Sequence, residues 1–175
     1  MEPKMVKKPT IKIAGFAIRT TAKDGENNKV IPKFWHDYLN DGRQEKLHKE
    51  SFLKSHEEYG ACFPENPEDG EFKYVIGVEV KDGIGIPEGY HICTIPEALY
   101  AVFTTPPVDD TDSFDDFSFP NAIQGTWKYI FSEWFPASGY EFAPNKVDFE
   151  LYDERCMAET NKVMDIYIPV VKKAD

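Results

Sequence analysis

The sequence is poor in the residues that most small-site chemistries need. Cysteine occurs three times, at Cys62, Cys93 and Cys156, with no CxxC spacing. This excludes a disulfide framework and a paired-cysteine metal or redox motif, and fits packing thiols in a reducing cytoplasm. The histidines His36, His48, His56 and His91 form no HExxH pair; His56-Glu57-Glu58-Tyr59-Gly60 matches only the first two letters. Gly83-Ile84-Gly85 leads towards Pro87 and not into a helix, so it is no dinucleotide fingerprint. No GxSxG or P-loop is present. Asp109, Asp110, Asp112, Asp115 and Asp116 have the composition of a calcium loop but lack its central glycine and closing Glu. They read as a solvated acidic loop. No metal and no cofactor are expected.

Positive charge is also scarce. Lys and Arg total 20 against 31 Asp and Glu, for a net charge of -11. Such a surface repels phosphate backbones, and no basic cluster reverses this locally, so direct nucleic-acid binding is not expected. The acidity suits cationic ligands, and it is equally an ordinary means of staying soluble. Long apolar runs are missing, and MEPKMVKKPTIKI holds no signal-peptide core. The expectation is a soluble, cytoplasmic chain with no membrane partner.

What is present is a folding chain of 175 residues with 14% aromatics, enough for a real core. Residues 1–9 read as a flexible leader, and 10–175 as a single domain. TIKIAGFAIRT (10–20) alternates as a strand, and Pro32 sits where a first-turn proline opens a helix through Phe34, Trp35, Tyr38 and Leu39. Arg43–Lys54 is charged and reads as a helical turn or a loop. Tyr59–Phe63 and Phe72–Val80 read as strands. The order then repeats: His91–Ile95 and Leu99–Thr104 as a strand pair or one strand broken at Pro96, the acidic loop, a helix, and strands at Asp148–Asp153 and Asp165–Val171. Strand-helix-strand-strand thus occurs twice, in halves of about 10–85 and 86–175. Two such halves would share a core about a pseudo-two-fold axis, which leaves a groove where they meet.

The most informative stretch runs from Thr126 to Glu154. Ile123, Trp127, Ile130, Phe131 and Trp134 recur at helical spacing, and Pro136 is expected to stop that helix. Beyond it, Phe149-Glu150-Leu151-Tyr152 alternates, with Glu150 and Tyr152 on one strand face. A carboxylate beside tyrosines and opposite tryptophans is the chemistry of an organic-cation site. The alternative is an edge-strand glutamate in water. Trp127, Phe131 and Trp134 are core residues or walls of a ligand cage. Glu133, near the helix C-terminus, is a solvated end charge or a second pocket acid. The hydroxyls of Tyr74, Tyr152 and Tyr167 need partners if buried, which suits a lined cleft.

These residues resemble the GyrI-like, or AraC-type effector-binding, domain family, and especially its integron-associated stand-alone members. The resemblance rests on Ile31–Trp35, Phe72–Gly77, Tyr100–Phe103, Trp127–Pro136, Ser138–Glu141, Phe149–Tyr152 and Asp165–Pro169. It implies an α+β fold of two β-α-β-β repeats about a pseudo-two-fold axis, an antiparallel sheet with two main helices, and a central ligand cleft. In the family that cleft takes bulky hydrophobic or cationic compounds, with a buried glutamate that falls on Glu150. Tyr152 stands beside it and the closing tyrosine falls on Tyr167. The expected ligand-binding set is Glu150, Tyr152, Tyr167, Tyr74, Trp127, Phe131, Trp134 and Trp35. Family regulators join the domain to a helix-turn-helix reader, for which residues 1–9 leave no space, so a separate regulatory protein is the implied partner. Some relatives are hydrolases that open cyclopropane-type natural products. That gives the alternative of a small detoxifying hydrolase, with Glu150 or Glu133 directing water; binding is the favoured reading.

Overall fold

The computed structural model describes residues 1–66, 68–109 and 118–173. The acidic loop beyond Asp109 lies outside them. In chain order the elements are β1 (Lys4–Lys8), β2 (Ile11–Thr21), α1 (Asn27–Asn40), α2 (Arg43–His48), β3 (Leu53–Asn66), β4 (Glu71–Val80), β5 (His91–Ile95), β6 (Ala98–Thr104), α3 (Ser118–Tyr129), β7 (Tyr140–Phe142), β8 (Asp148–Tyr152) and β9 (Asp165–Lys172). The fold class is α+β, with mostly antiparallel strands and few helices. None of the helices among the described residues is long and apolar enough to cross a membrane.

The chain divides into two compact units, Thr10–Pro96 and Glu97–Asp175 with Met1–Pro9. In the first, the strands run β3-β4-β2-β5, all neighbours antiparallel. β4 is buried along most of its length, as its run of Val, Ile and Tyr requires. Gly15 stands opposite Gly77 in the β2–β4 ladder. A Cβ on Gly15 would lie 2.0 Å from the Ile76 carbonyl oxygen, so only glycine allows this approach. Phe34 and Tyr38, one turn apart on α1, and Leu47 of α2 pack on Ala14, Tyr74, Ile76 and Val78.

In the second unit the order is β1-β6-β9-β8, with β7 also on β9. The core joins Ala101, Phe103, Ile166, Ile168 and Val170 to Ile130 of the helical segment. Arg155 bridges Asp153 and Asp165, both at 2.7 Å, and ties the end of β8 to the start of β9.

Several expectations need correction. Residues 1–9 are not a frayed leader: Lys4–Lys8 pairs with Ala98–Val102 as β1, and Val6 supplies the one partly buried apolar side chain of that strand. The boundary between halves falls after Pro96, because β5 pairs back onto β2. Pro32 lies inside α1 and not in its first turn; it cannot donate to the Asn28 carbonyl, a local loss that the packing of Phe34 and Tyr38 offsets. Pro136 does not stop its helix after Trp134 either. Past Tyr129 the chain takes a π-type turn over Ile130–Trp134, where the Phe135 N–H reaches back to the Ile130 carbonyl, and helical backbone continues through Ala137. The wider turn shifts the phase of the face. Ile130 is fully buried, whereas Phe131 is 51% exposed.

Two substitutions test this packing by chemical denaturation. Gly15→Ala should destabilise the chain by on the order of 2–4 kcal/mol, because backbone must move to admit the methyl group. Ile130→Ala should cost about 2–5 kcal/mol and Phe131→Ala much less; equal losses would contradict the π-turn phase.

Candidate functional site

The site is built on β8. The β8–β9 register sets Glu150 opposite Ile166 and Phe149 opposite Tyr167. Ile166 belongs to the core beneath the helix, so Glu150 faces α3 while Phe149 and Tyr167 share the other face. Glu150 is 9% exposed. Taking a carboxylate out of water costs several kcal/mol unless donors reach it. Trp127 Nε1 donates to Oε1 at 2.8 Å, and the Tyr152 hydroxyl donates to Oε2 at 2.9 Å. Bonds to a charged acceptor contribute about 1.5–3 kcal/mol each.

Aromatic surface starts at the same indole. Trp127 and Phe131 are nearly parallel, 8° apart with centroids 6.1 Å apart. Phe135 follows Phe131 at 5.5 Å. The π turn leaves Phe131 half in solvent, stacked on the indole that bonds the buried acid. Trp134 instead turns into the core, edge-on to Phe103 at 5.1 Å and parallel to Tyr140 at 6.1 Å. Glu133 is exposed, in keeping with a solvated end charge. Tyr167 lies across the sheet from Glu150. It stacks on Phe149 at 4.5 Å, meets Tyr100 edge-on, and has Lys8 Nζ 5.2 Å from its ring centre. Of the expected residues in this unit, Glu150 joins Trp127 to Tyr152, Phe131 stacks on Trp127, Trp134 meets the same strip through Phe135 at 5.0 Å, and Tyr167 lies on the other face of the sheet.

Trp35 and Tyr74 belong to the other unit. α1 places the Trp35 ring over β4, where Nε1 donates to the Tyr74 hydroxyl at 2.8 Å. That unit also holds an acid that the sequence reading passed over. Glu58 is 7% exposed and accepts hydrogen bonds from the Tyr38 hydroxyl, from Gln44 Nε2 at 3.3 Å and from His48 Nε2 at 2.8 Å. Burial, and then the neighbouring carboxylate, push the Tyr38 hydroxyl far above the ordinary phenol range, which keeps it a donor. The sequence carried little signal for it: Glu57 and Glu58 adjoin, and a register shift between Leu53 and Glu58 hides which one turns inward.

The chain is 35% identical over 117 residues to the transcriptional regulator BrlR of Pseudomonas aeruginosa, an alignment covering 64% of this chain and 37% of that protein. The chain thus corresponds to little more than a third of that regulator. Its fold matches the structure of SAV2435 bound to tetraphenylphosphonium, with a TM-score of 0.76 and 19% identity over 98% of this chain and 94% of that one. It also matches an integron cassette protein from the mobile metagenome of Vibrio cholerae, with a TM-score of 0.63 and 19% identity over 97% and 96% of the two chains. The sequence profile of the integron-associated effector-binding proteins matches residues 4–170, nearly the whole chain, and the protein belongs to that family.

Proposed function

We propose that this protein binds bulky hydrophobic or cationic organic compounds against the aromatic strip of α3, with Glu150 as counter-charge. The observation that carries this reading is the Glu150 carboxylate, 9% exposed and held by Trp127 and Tyr152 next to the half-exposed Phe131 ring. A carboxylate shielded from water attracts a cation more strongly than one in bulk solvent, and ring faces add cation–π attraction. Membership of an effector-binding family supports the reading. So does a protein of the same fold bound to tetraphenylphosphonium, a bulky organic cation. The net charge of -11 favours encounter with cations. Trp134 and Tyr167 enter the proposal as supports of the helix and sheet. Kinship with a transcriptional regulator supports a regulatory role for ligand binding.

Calorimetric titration with tetraphenylphosphonium and with a neutral aromatic of similar size tests the charge. Glu150→Gln should weaken the cation by on the order of 1–3 kcal/mol and leave the neutral compound nearly unchanged. Equal losses for both would make Glu150 a structural residue. Compounds should be recovered intact by mass spectrometry; a water adduct formed faster with protein than without would replace binding with hydrolysis. Trp127→Phe keeps an aromatic ring but removes the donor. It should lower stability by about 1–3 kcal/mol, read by denaturant midpoint, because a buried carboxylate loses a partner.

A further inference from the structure

In the unit of residues 10–96, a chain of hydrogen-bonding groups runs from the interior to the surface. Tyr38 of α1 donates to the buried Glu58 on β3, and His48 of α2 bonds the same carboxylate through Nε2 at 2.8 Å. The other nitrogen of that ring, Nδ1, lies 2.8 Å from Nδ1 of His56, which is exposed at the start of β3. The ring planes are 12° apart and the centroids 5.1 Å apart. With nitrogens so close and centres so far, the rings meet edge to edge in one plane. Their lone-pair directions point at each other and do not converge on a third point, as two ligands of one metal ion must. Among the described residues no group of three His, Cys, Asp or Glu is placed to hold a metal ion. The contact is therefore an N–H···N hydrogen bond, with one ring donating and the other accepting.

We propose that His48 and His56 form a proton-operated latch that ties α2 to β3. Glu58 fixes the proton on His48 Nε2, so the state of Nδ1 reports the charge of that ring. With both rings neutral, or with one protonated, a single proton lies between the two Nδ1 atoms and the bond holds. With both protonated, two N–H groups face each other across 2.8 Å and two positive charges adjoin, so the bond is lost. The latch is closed while a single proton lies between the rings and opens when acid adds the second. The Glu58 bond remains after opening, so α2 is loosened without being released.

Among the described residues, the charged and titratable groups of the neighbouring segments have partners of their own. Gln44 and Arg43 lie on α2 itself, and Gln44 Nε2 shares the Glu58 carboxylate. Arg43 is engaged by Asp41 at 2.8 Å and lies over the Phe16 and Phe34 rings. Glu45 and Lys49 pair with each other at 2.5 Å, Lys46 lies over Tyr90, and Glu57 takes the Ser55 hydroxyl. Tyr38 keeps its proton throughout. The latch therefore turns on the protons carried by the two imidazoles. Opening has a consequence for the surface, because Gln44 and His48 line an open depression with Leu39, Asn40, Gly42 and Glu45.

Hydrogen exchange of the α2 amides from pH 8 to pH 5 tests the latch, each rate being corrected to a protection factor. In the full chain, protection of Lys46 and Leu47 should fall roughly tenfold, the effect of one lost hydrogen bond. In His56→Gln it should stay flat. A flat profile in the unaltered chain, or an equal fall in the variant, would overturn the proposal. Ring-nitrogen NMR of the unaltered chain gives a second readout that needs no variant. A closed latch makes the two rings titrate in two coupled steps; two independent single-site curves would overturn it as well.

Discussion

A carboxylate excluded from water must find donors or lose its charge, and that requirement governs how the unit of residues 97–175 is put together. Glu150 sits on β8 with its side chain towards α3, and its donors come from two directions. Tyr152 is its neighbour along the same strand face, so alternation alone brings that hydroxyl near. Trp127 arrives from the helix, which fixes the rotation of α3 above the sheet. A quarter-turn of the helix would leave the carboxylate short of a donor, at about the cost of a charged hydrogen bond. The π turn that follows then buries Ile130 and turns Phe131 outward. One interaction thus sets the helix phase, and the phase decides which ring meets solvent beside the acid.

The other unit solves the same problem with different residues. Glu58 is buried on β3 and held by Tyr38, Gln44 and His48, from α1 and α2. Here the aromatic rings already carry the protein's own cations. Arg43 lies over Phe16 and Phe34, and Lys46 over Tyr90. Glu58 is bound into a network that fixes two helices to a strand. Glu150 is held by one helix, through Trp127, and by its own strand, through Tyr152.

Much of this was legible in the sequence, for identifiable reasons. FKYVIGVEV could only be a strand, since its β-branched and aromatic residues run without a turn signal. The alternation in Phe149–Tyr152 separated the two faces of β8 correctly, and the family resemblance singled out Glu150. Other features were hidden because they depend on contacts distant in the chain. Lys4–Lys8 has no strong pattern of its own and becomes a strand by pairing with β6. Phe131 matched the helical stripe by spacing, yet the π turn breaks that spacing. Tyr167 was grouped with Glu150 by resemblance, whereas the β8–β9 register sets it on the opposite face. Glu58 needed partners from two helices before its burial made sense.

The most direct measurement of the central claim follows the indole N–H signals of the three tryptophans by nitrogen-edited NMR while tetraphenylphosphonium is added. Trp127 Nε1 donates to the Glu150 carboxylate, so a cation seated beside that carboxylate must alter its signal. The account predicts a saturable shift of the Trp127 resonance with the same midpoint as binding measured by calorimetry. Binding that leaves the Trp127 signal unmoved would place the cation elsewhere and contradict the account.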